Sequence, residues 1–176
     1  VGSGGREHSL GWKLSQSPKV DIVYFAPGNG GTENNIPIEV DKIDELAEFA
    51  QKNNCYTVIG PESPLALGIV DFFGKKNLKI FGPSEKAAQL ESSKIWAKNF
   101  MKRNDIPTAS FEIFEDPEKA IEYVKSIDHP VVIKADGLAA GKGVIVCNST
   151  VEALSAVNTI LVKKTFGEAG NRIIIE

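Results

Sequence analysis

The chain has 176 residues, of which 42% are hydrophobic and 24% charged, and its formal net charge is −3. This composition is typical of a globular protein of one large or two small domains, and it argues against a disordered or membrane-embedded chain. Since there is no excess of basic residues and no apolar run of about 18 residues, we expect neither a nucleic-acid partner nor a membrane partner.

The first half of the chain is predicted to alternate strands and helices. A strand ends at Gly2, and the following elements are a helix at residues 7–16, a strand at 20–25, a helix at 43–52, a strand at 56–59, a helix at 64–76 and a strand at 79–81. This alternation predicts a parallel, Rossmann-like sheet with crossover helices. Ligand loops are then expected at the carboxyl ends of the strands, at residues 2–7, 27–32 and 60–64.

Beyond residue 84 the pattern changes. A long helical connector at residues 84–103 is followed by a strand at 110–114, a helix capped by Asp116 with Pro117 in its first turn, a strand at 131–135, a glycine loop, a strand at 143–147, a helix from about residue 150 and a closing strand. The glycine loop leaves no room for a helix, so we predict an α+β unit with a hairpin. The predicted domains are residues 1–91 and 92–176.

Both ends of the sequence suggest an incomplete protein. The chain opens on Val1, directly before the first glycine loop, and closes on a strand at residues 172–176 with no following element. We therefore expect it to be part of a longer polypeptide. Cys55 and Cys147 each lie beside an apolar run and far apart, which favours buried thiols over a disulfide or metal site and fits a cytoplasmic location.

The first loop, GSGGREH at residues 2–8, lies between a predicted strand and helix. Glycine backbone there can approach an anion at a helix N-terminus. A nicotinamide dinucleotide would require a carboxylate at the end of the second strand, but that strand ends Tyr24-Phe25-Ala26-Pro27. The pattern favours the phosphate of a smaller ligand, with a structural turn and a solvated Arg6 as the alternative.

Two further loops follow predicted strands. PGNGGT at residues 27–32 is suited to tight or left-handed backbone, and GPESP at residues 60–64 is a rigid turn that presents Glu62. Each alone is consistent with an ordinary turn. Together they predict a site for a hydroxyl-bearing ligand, with Glu62 as an acceptor for sugar hydroxyls.

The segment VVIKADGLAAGKGV at residues 131–144 is the most specific local pattern. It is not a Walker loop, because its glycine spacing is one residue short, Gly143 replaces the metal-binding hydroxyl residue and a strand follows. A glycine hairpin with Lys134 in its first strand and Lys142 in its loop is suited to cover a triphosphate. Burying Lys134 without an anionic partner would be costly, which favours this interpretation over a surface hairpin.

Five motifs, in the same order, resemble those of the phosphoribosylamine-glycine ligase family, also called glycinamide ribonucleotide synthetases, of the ATP-grasp superfamily. They are GSGGREH, APGNGGT, GPESPL, KIFGP and KADGLAAGKGV. The resemblance covers the whole chain. It implies an α/β fold in which a Rossmann-like amino-terminal (pre-ATP-grasp) domain precedes the first, α+β part of an ATP-grasp domain.

The resemblance also implies an activity in de novo purine biosynthesis. Such a ligase uses ATP to convert glycine to glycyl phosphate, which the amine of 5-phosphoribosylamine attacks to give glycinamide ribonucleotide, ADP and phosphate. The implied cofactors are ATP and Mg²⁺ or Mn²⁺, with the metal carboxylates and the glycine site beyond Glu176. We therefore expect this chain alone to be inactive.

The implied site residues form two sets. Those for phosphoribosylamine are Gly4, Gly5, Arg6, Asn29, Gly30 and Glu62. Those for ATP are Lys94, Lys134, Gly137, Gly141, Lys142, Gly143 and Glu176. No catalytic residue or metal ligand is assigned within the chain. A non-catalytic nucleotide-binding module of the same architecture stays open, whereas the lysine-bearing hairpin argues against a dinucleotide oxidoreductase.

Overall fold

The computed structural model describes residues 1–139 and 141–176. The chain divides into two compact units, Val1–Ala88 and Gln89–Glu176. The domain boundary drawn after Glu91 lies close to this division and stays a prediction. No helix within the described ranges is both long and apolar enough to span a membrane.

The first unit is a small parallel α/β structure. Its strands β1 (Thr57–Val58) and β2 (Ile80–Phe81) pair in parallel, and a parallel bridge joins Gly2 to Pro27. Its helices are α1 (Gly5–Ser15), α2 (Ile43–Lys52), α3 (Glu62–Ala66) and α4 (Ile69–Lys75). The predicted parallel arrangement is thus confirmed, with strands shorter than expected.

Helices α2 and α4 supply most of the core of this unit. The apolar residues of α2 recur at helical spacing, so one face of the helix is buried while the other carries its charged residues. The buried side chains are Ala26, Leu46, Ala47, Ala50, Ile59, Ile69 and Phe73. This core holds the ends of the short strands, and hence the loops that follow them, in place.

The prediction of a strand at residues 20–25 is wrong. Only Phe25 is paired, through a bridge to Asn35, and the main-chain N–H groups of Ile22 and Tyr24 have no main-chain acceptor among the described residues. A strand requires a ladder of hydrogen bonds to a neighbour. This segment instead borders a cavity of about 540 Å³. Its apolar residues suggested a strand, but without a neighbouring strand to pair with they do not form one.

Two predicted helices are each divided. The helix expected at residues 64–76 is α3 followed by α4, because Gly68 adopts a left-handed φ of 81° between them. The helix expected at residues 84–103 is α5 (Glu85–Ser92) followed by α6 (Lys94–Arg103). Ser93 is extended, and its hydroxyl accepts a hydrogen bond from Trp96 N at 3.1 Å, which makes it the N-cap of α6.

The second unit contains a four-stranded antiparallel sheet. Its strands β3 (Glu112–Phe114), β4 (Val131–Ala135), β5 (Val144–Cys147) and β6 (Ile173–Ile175) lie in the order β3-β6-β4-β5. Helices α7 (Pro117–Ser126) and α8 (Thr150–Val157) complete it, and α8 continues into a π-helical turn at Asn158–Val162. A short 3₁₀ helix at Gly167–Asn171 was not predicted. The Asp116 cap of α7 and the β4–β5 hairpin are confirmed.

The two faces of this sheet differ. Ile133 and Ala135 of β4 are fully buried in the core, as are Ile173 and Ile175 of β6, where they pack with α7 and α8. Because side chains alternate along a strand, Lys134 points to the opposite face. That second face is where the candidate site of this unit lies.

The two cysteines are free thiols, as predicted. Cys147 is buried and Cys55 is partly buried. Burial raises the pKa of both thiols, and Glu152 adds to the effect at Cys147. Both are therefore poor nucleophiles at neutral pH.

Candidate functional site

The three predicted loops of the first unit meet. Gly2 N donates to Ala26 O at 2.6 Å, and Gly28 N donates to Gly2 O at 3.2 Å. Gly60 N donates to Val1 O at 3.1 Å, which joins the third loop to the first. Main-chain hydrogen bonds thus hold residues 2–7, 27–32 and 60–64 together.

Arg6 and Glu62 face each other at the mouth of these loops. Arg6 Nη1 donates to Glu62 Oε1 at 3.1 Å, and Arg6 Nε donates to Glu7 Oε1 at 2.8 Å. The side chains of Arg6 and Glu62 are 54% and 44% exposed, so both remain available to a ligand. Hydrogen bonding to Arg6 lowers the pKa of Glu62, and Glu62 in turn raises the pKa of Arg6.

Glu7 has a structural role between the loops. Its buried side chain accepts a hydrogen bond from Gly4 N at 2.7 Å, which caps α1. A Cβ atom at Gly2 or Gly60 would collide with the Glu7 side chain, so glycine is required at both positions. Burial raises the pKa of Glu7, but the hydrogen bonds from Arg6 and Gly4 outweigh it and the net pKa is lowered.

The side chain of Asn29 ties two of the loops together. Its Nδ2 donates to Ser3 O at 2.8 Å, and its Oδ1 accepts from Gly31 N at 2.8 Å. Gly30 is exposed, and apart from its own atoms and its two chain neighbours no described atom lies within 4 Å of the position that its Cβ would take. Asn29 therefore shapes the loop, while Gly30 leaves open space beside it.

In the second unit, Glu176 lies between two lysines. Lys134 Nζ donates to Glu176 Oε2 at 2.8 Å, and Lys98 Nζ lies 2.9 Å from Glu176 Oε1. The Lys98 contact is an ion pair without hydrogen-bond alignment, since Oε1 is buried and accepts no aligned hydrogen bond in the described ranges. Burial raises the pKa of Glu176, but the two lysines outweigh it and the net pKa is lowered.

The register of the sheet explains why Lys134 and Glu176 lie side by side. Glu176 N donates to Val132 O at 3.0 Å and Val132 N donates to Glu176 O at 2.7 Å, so the two residues are directly opposite across β4 and β6. Lys134 is two residues from Val132 on the same face, within reach of a diagonal neighbour. The anionic partner expected for Lys134 is therefore present within the chain, so its burial does not by itself argue for a phosphate, and its ATP role stays a prediction.

The base of the glycine hairpin is anchored by Asp136. Its Oδ1 accepts from Ser93 Oγ at 2.9 Å and from Ile95 N at 3.0 Å, and Arg172 Nη2 donates to its Oδ2 at 2.6 Å. The Asp136 side chain is 1% exposed. Since these partners come from α6 and from the residue before β6, Asp136 fixes the hairpin to both.

The other predicted ATP residues lie along this hairpin. Lys94 Nζ donates to Gly137 O at the long distance of 3.4 Å, and Lys142 is exposed. Gly137 and Gly141 have positive φ values of 152° and 77°, and Gly143 is buried. Ala140, inside the predicted lid, lies outside the described residues.

Sequence reasoning missed Lys98, Asp136 and Arg172. Lys98 lies one helical turn after Lys94, and Asp136 directly follows a buried strand, which are weak signals individually. Arg172 gave no signal in the sequence beyond its position before a strand. Among the described residues no group of three or more His, Cys, Asp or Glu side chains is arranged to hold a metal ion.

Two family models match the chain. Residues 1–91 match the N domain of phosphoribosylglycinamide synthetase, and residues 92–176 match its ATP-grasp (A) domain. The phosphoribosylamine–glycine ligase of Pseudomonas putida is 50% identical over 181 residues, and that of Ralstonia nicotianae is 53% identical over 182. Both alignments cover all of this chain but 42% and 43% of the relatives.

Solved structures show the same likeness. The crystal structure of phosphoribosylamine–glycine ligase from Thermotoga maritima is 35% identical with a TM-score of 0.78, and the match covers 99% of this chain and 42% of that one. The biotin carboxylase domain of the Hydrogenobacter thermophilus 2-oxoglutarate carboxylase has a TM-score of 0.62 at 23% identity, covering 86% and 34% of the two chains. This second match shows a shared fold alone.

Proposed function

The chain belongs to the phosphoribosylglycinamide synthetase family, and from that premise we propose that the full-length protein joins glycine to 5-phosphoribosylamine at the expense of ATP. The products are glycinamide ribonucleotide, ADP and phosphate, and the reaction belongs to de novo purine biosynthesis. About half of the residues of this chain are identical to those of curated ligases, which supports this assignment. The chain spans about 42% of the length of those relatives.

The observation that carries the ATP side of the proposal is the open face of the second unit's sheet over β4 and β5; over β6 the same face is covered, because Ile174, which pairs with Lys134, is fully buried. Val144 and Val146 are 44% and 63% exposed there, and they pair across the hairpin with Lys134 and Val132. An apolar surface beside a cation fits a ligand that has a flat base and a polyphosphate. Lys134 donates to one carboxylate oxygen and, among the described residues, to no other acceptor, so it retains donors for phosphate.

Phosphoryl transfer to the glycine carboxylate is mainly a matter of positioning and of neutralising charge. Lys134 and Lys142 would neutralise the polyphosphate, and the backbone of the glycine hairpin would add N–H donors. Lys94 is the third cation in this group, held near Gly137. The amine of phosphoribosylamine then attacks the glycyl phosphate carbonyl, and phosphate leaves.

The loops of the first unit would bind phosphoribosylamine. Gly4 and Gly5 lie at the start of α1, where an anion is favoured; the Gly4 N–H already bonds to Glu7, so the Gly5 N–H is the one offered to a phosphate, and Arg6 adds a positive charge. Glu62 is half-exposed beside Arg6 and would accept a hydrogen bond from a ribose hydroxyl. The Arg6–Glu62 ion pair holds both side chains in place without burying either.

A divalent cation, Mg²⁺ or Mn²⁺, would supply further neutralisation of the polyphosphate. The described residues do not contain a carboxylate cluster that fits it. We therefore assign it no ligand in this chain. A cytoplasmic location belongs to the same proposal, as the compartment of the pathway.

The decisive measurement is phosphate release from ATP by the full-length protein. We expect release only when glycine and phosphoribosylamine are both present, with formation of glycinamide ribonucleotide in equal amount. Release that is independent of these substrates would contradict the ligase assignment. ATP binding without any substrate-dependent release would indicate a non-catalytic nucleotide-binding module.

A further inference from the structure

Two lysines share the carboxylate of Glu176, but their environments differ. The side chain of Lys98 is 10% exposed, whereas that of Lys134 is 25% exposed and lies on the open face of the sheet. Three oxygen atoms lie close to Lys98 Nζ: Thr108 Oγ1 at 2.7 Å, Glu176 Oε1 at 2.9 Å and Ala109 O at 3.2 Å. Two of the three ammonium donors bond to Thr108 Oγ1 and Ala109 O, and the ion pair with Glu176 lies beside them, so Lys98 is held within the protein.

Lys134 is less constrained. Glu176 Oε2 is its one hydrogen-bond acceptor within the described ranges. A polyphosphate on the open face would therefore attract Lys134 away from Glu176. If Lys98 were neutral, that movement would leave a buried carboxylate without a counter-ion, which is strongly unfavourable.

We propose that Lys98 is a positioning residue that keeps Glu176 ionised and paired, so that Lys134 is released to bind the phosphates of the nucleotide. The trio carries one excess positive charge, and Lys98 and Glu176 form a neutral pair after Lys134 has moved. Lys98 itself does not contact the nucleotide, since its ammonium group is enclosed by protein oxygens and its side chain is 10% exposed. This inference rests on the proposed ATP site, to which it adds a residue outside the assigned set.

The test compares Lys98→Met, Glu176→Gln and the double variant in the full-length protein. We expect Lys98→Met to weaken ATP binding about tenfold, because the nucleotide must then compete with Glu176 for Lys134. Adenosine binding should not change, since adenosine carries no phosphate. In the double variant there is no carboxylate to retain Lys134, so its ATP affinity should lie within about threefold of that of Glu176→Gln alone, whatever the loss of Glu176 itself costs.

Lys102→Met is the matched control, because Lys102 lies on the same helix, α6, and is exposed. It should leave both affinities unchanged. A purely structural role for Lys98 would weaken ATP and adenosine binding alike, and would not be rescued by Glu176→Gln; either result overturns the proposal.

Folding of each variant is checked by circular dichroism. If Lys98→Met does not fold, the comparison rests on the double variant and Glu176→Gln, which should bind ATP equally well. A large loss of affinity in the double variant relative to Glu176→Gln would then overturn the proposal. Failure of the unsubstituted protein to bind ATP would instead overturn the proposed function itself.

Discussion

Lys134 on β4 donates a hydrogen bond of 2.8 Å to Glu176, the residue that follows β6. Replacing Lys134 by Met in the full-length protein should reduce ATP-dependent phosphate release at least about 100-fold, as removal of a donor to a developing charge does. The fold should persist, because Lys98 remains within 2.9 Å of Glu176 to neutralise it.

The measurement is a phosphate-release assay with both substrates, together with a thermal unfolding curve. Lys119→Met is the matched control, since Lys119 is an exposed lysine on α7. Unchanged turnover in Lys134→Met would remove this residue from the proposed site.

The Glu176 carboxylate also predicts a pH dependence of stability. Burial raises its pKa, but the two lysines lower it by more, so its net pKa in the folded protein lies below the reference value of 4.5. A carboxyl group with a depressed pKa stabilises the fold above its unfolded pKa, and that contribution is lost as the pH falls through the folded pKa.

We therefore expect the difference in unfolding free energy between the unsubstituted chain and Glu176→Gln to be constant near neutral pH and to shrink below pH 4.5. Urea unfolding at about pH 7 and about pH 3 measures it. A difference that grows on acidification would contradict the ion-pair assignment.

Asp136 should be among the most sensitive polar residues of the second unit. Its carboxylate accepts hydrogen bonds from Ser93, Ile95 and Arg172, and Asp136→Ala would leave the first two without their acceptor. We expect a loss of about 3 kcal/mol in unfolding free energy. Asp128→Ala, at a fully exposed side chain, should change stability by less than about 0.5 kcal/mol. Equal effects in urea unfolding would show that the Asp136 network adds no net stability.

The sequence was sufficient for those elements whose pattern is local. The bounds of α2 and β4 agree with the prediction, because the amphipathic face of α2 and the β-branched run of β4 are complete within each segment. The strand predicted at residues 20–25 failed for the opposite reason. Its formation depends on a neighbour to pair with, which is a property of the whole unit and not of the segment.

The candidate sites likewise divide into residues that a local motif predicts and residues whose partners are distant in the sequence. The glycine loops and Lys134 were identified from motifs, and the three loops of the first unit do lie together. Lys98 was missed because its partner, Glu176, is distant in the sequence, and only the packed fold of the second unit brings α6 to the end of β6. Roles of the individual residues in ligand binding remain predictions.

Replacing either of two glycines of the first unit by alanine should change the free energy of unfolding, in opposite directions for the two positions. Gly11 lies in α1 against the ring of Phe25, and a Cβ added there would collide with that ring. We expect Gly11→Ala to destabilise the chain by about 1–3 kcal/mol, the usual cost of overpacking. Gly74 lies inside α4, and apart from its chain neighbours and the backbone of its own helix no described atom lies within 4 Å of the Cβ position. Gly74→Ala should therefore stabilise the chain by about 0.5–1 kcal/mol, through the lower entropy of the unfolded state.

Urea unfolding of both variants at neutral pH distinguishes the two effects. Helix propensity alone would make both substitutions stabilising, because alanine is the better helix former at either position. A destabilised Gly11→Ala beside a stabilised Gly74→Ala would thus place the Phe25 ring against α1. That contact packs the irregular segment at residues 20–25 against α1, and so adds to the main-chain hydrogen bonds that join the second glycine loop to the first. Stabilisation by both substitutions would contradict this packing.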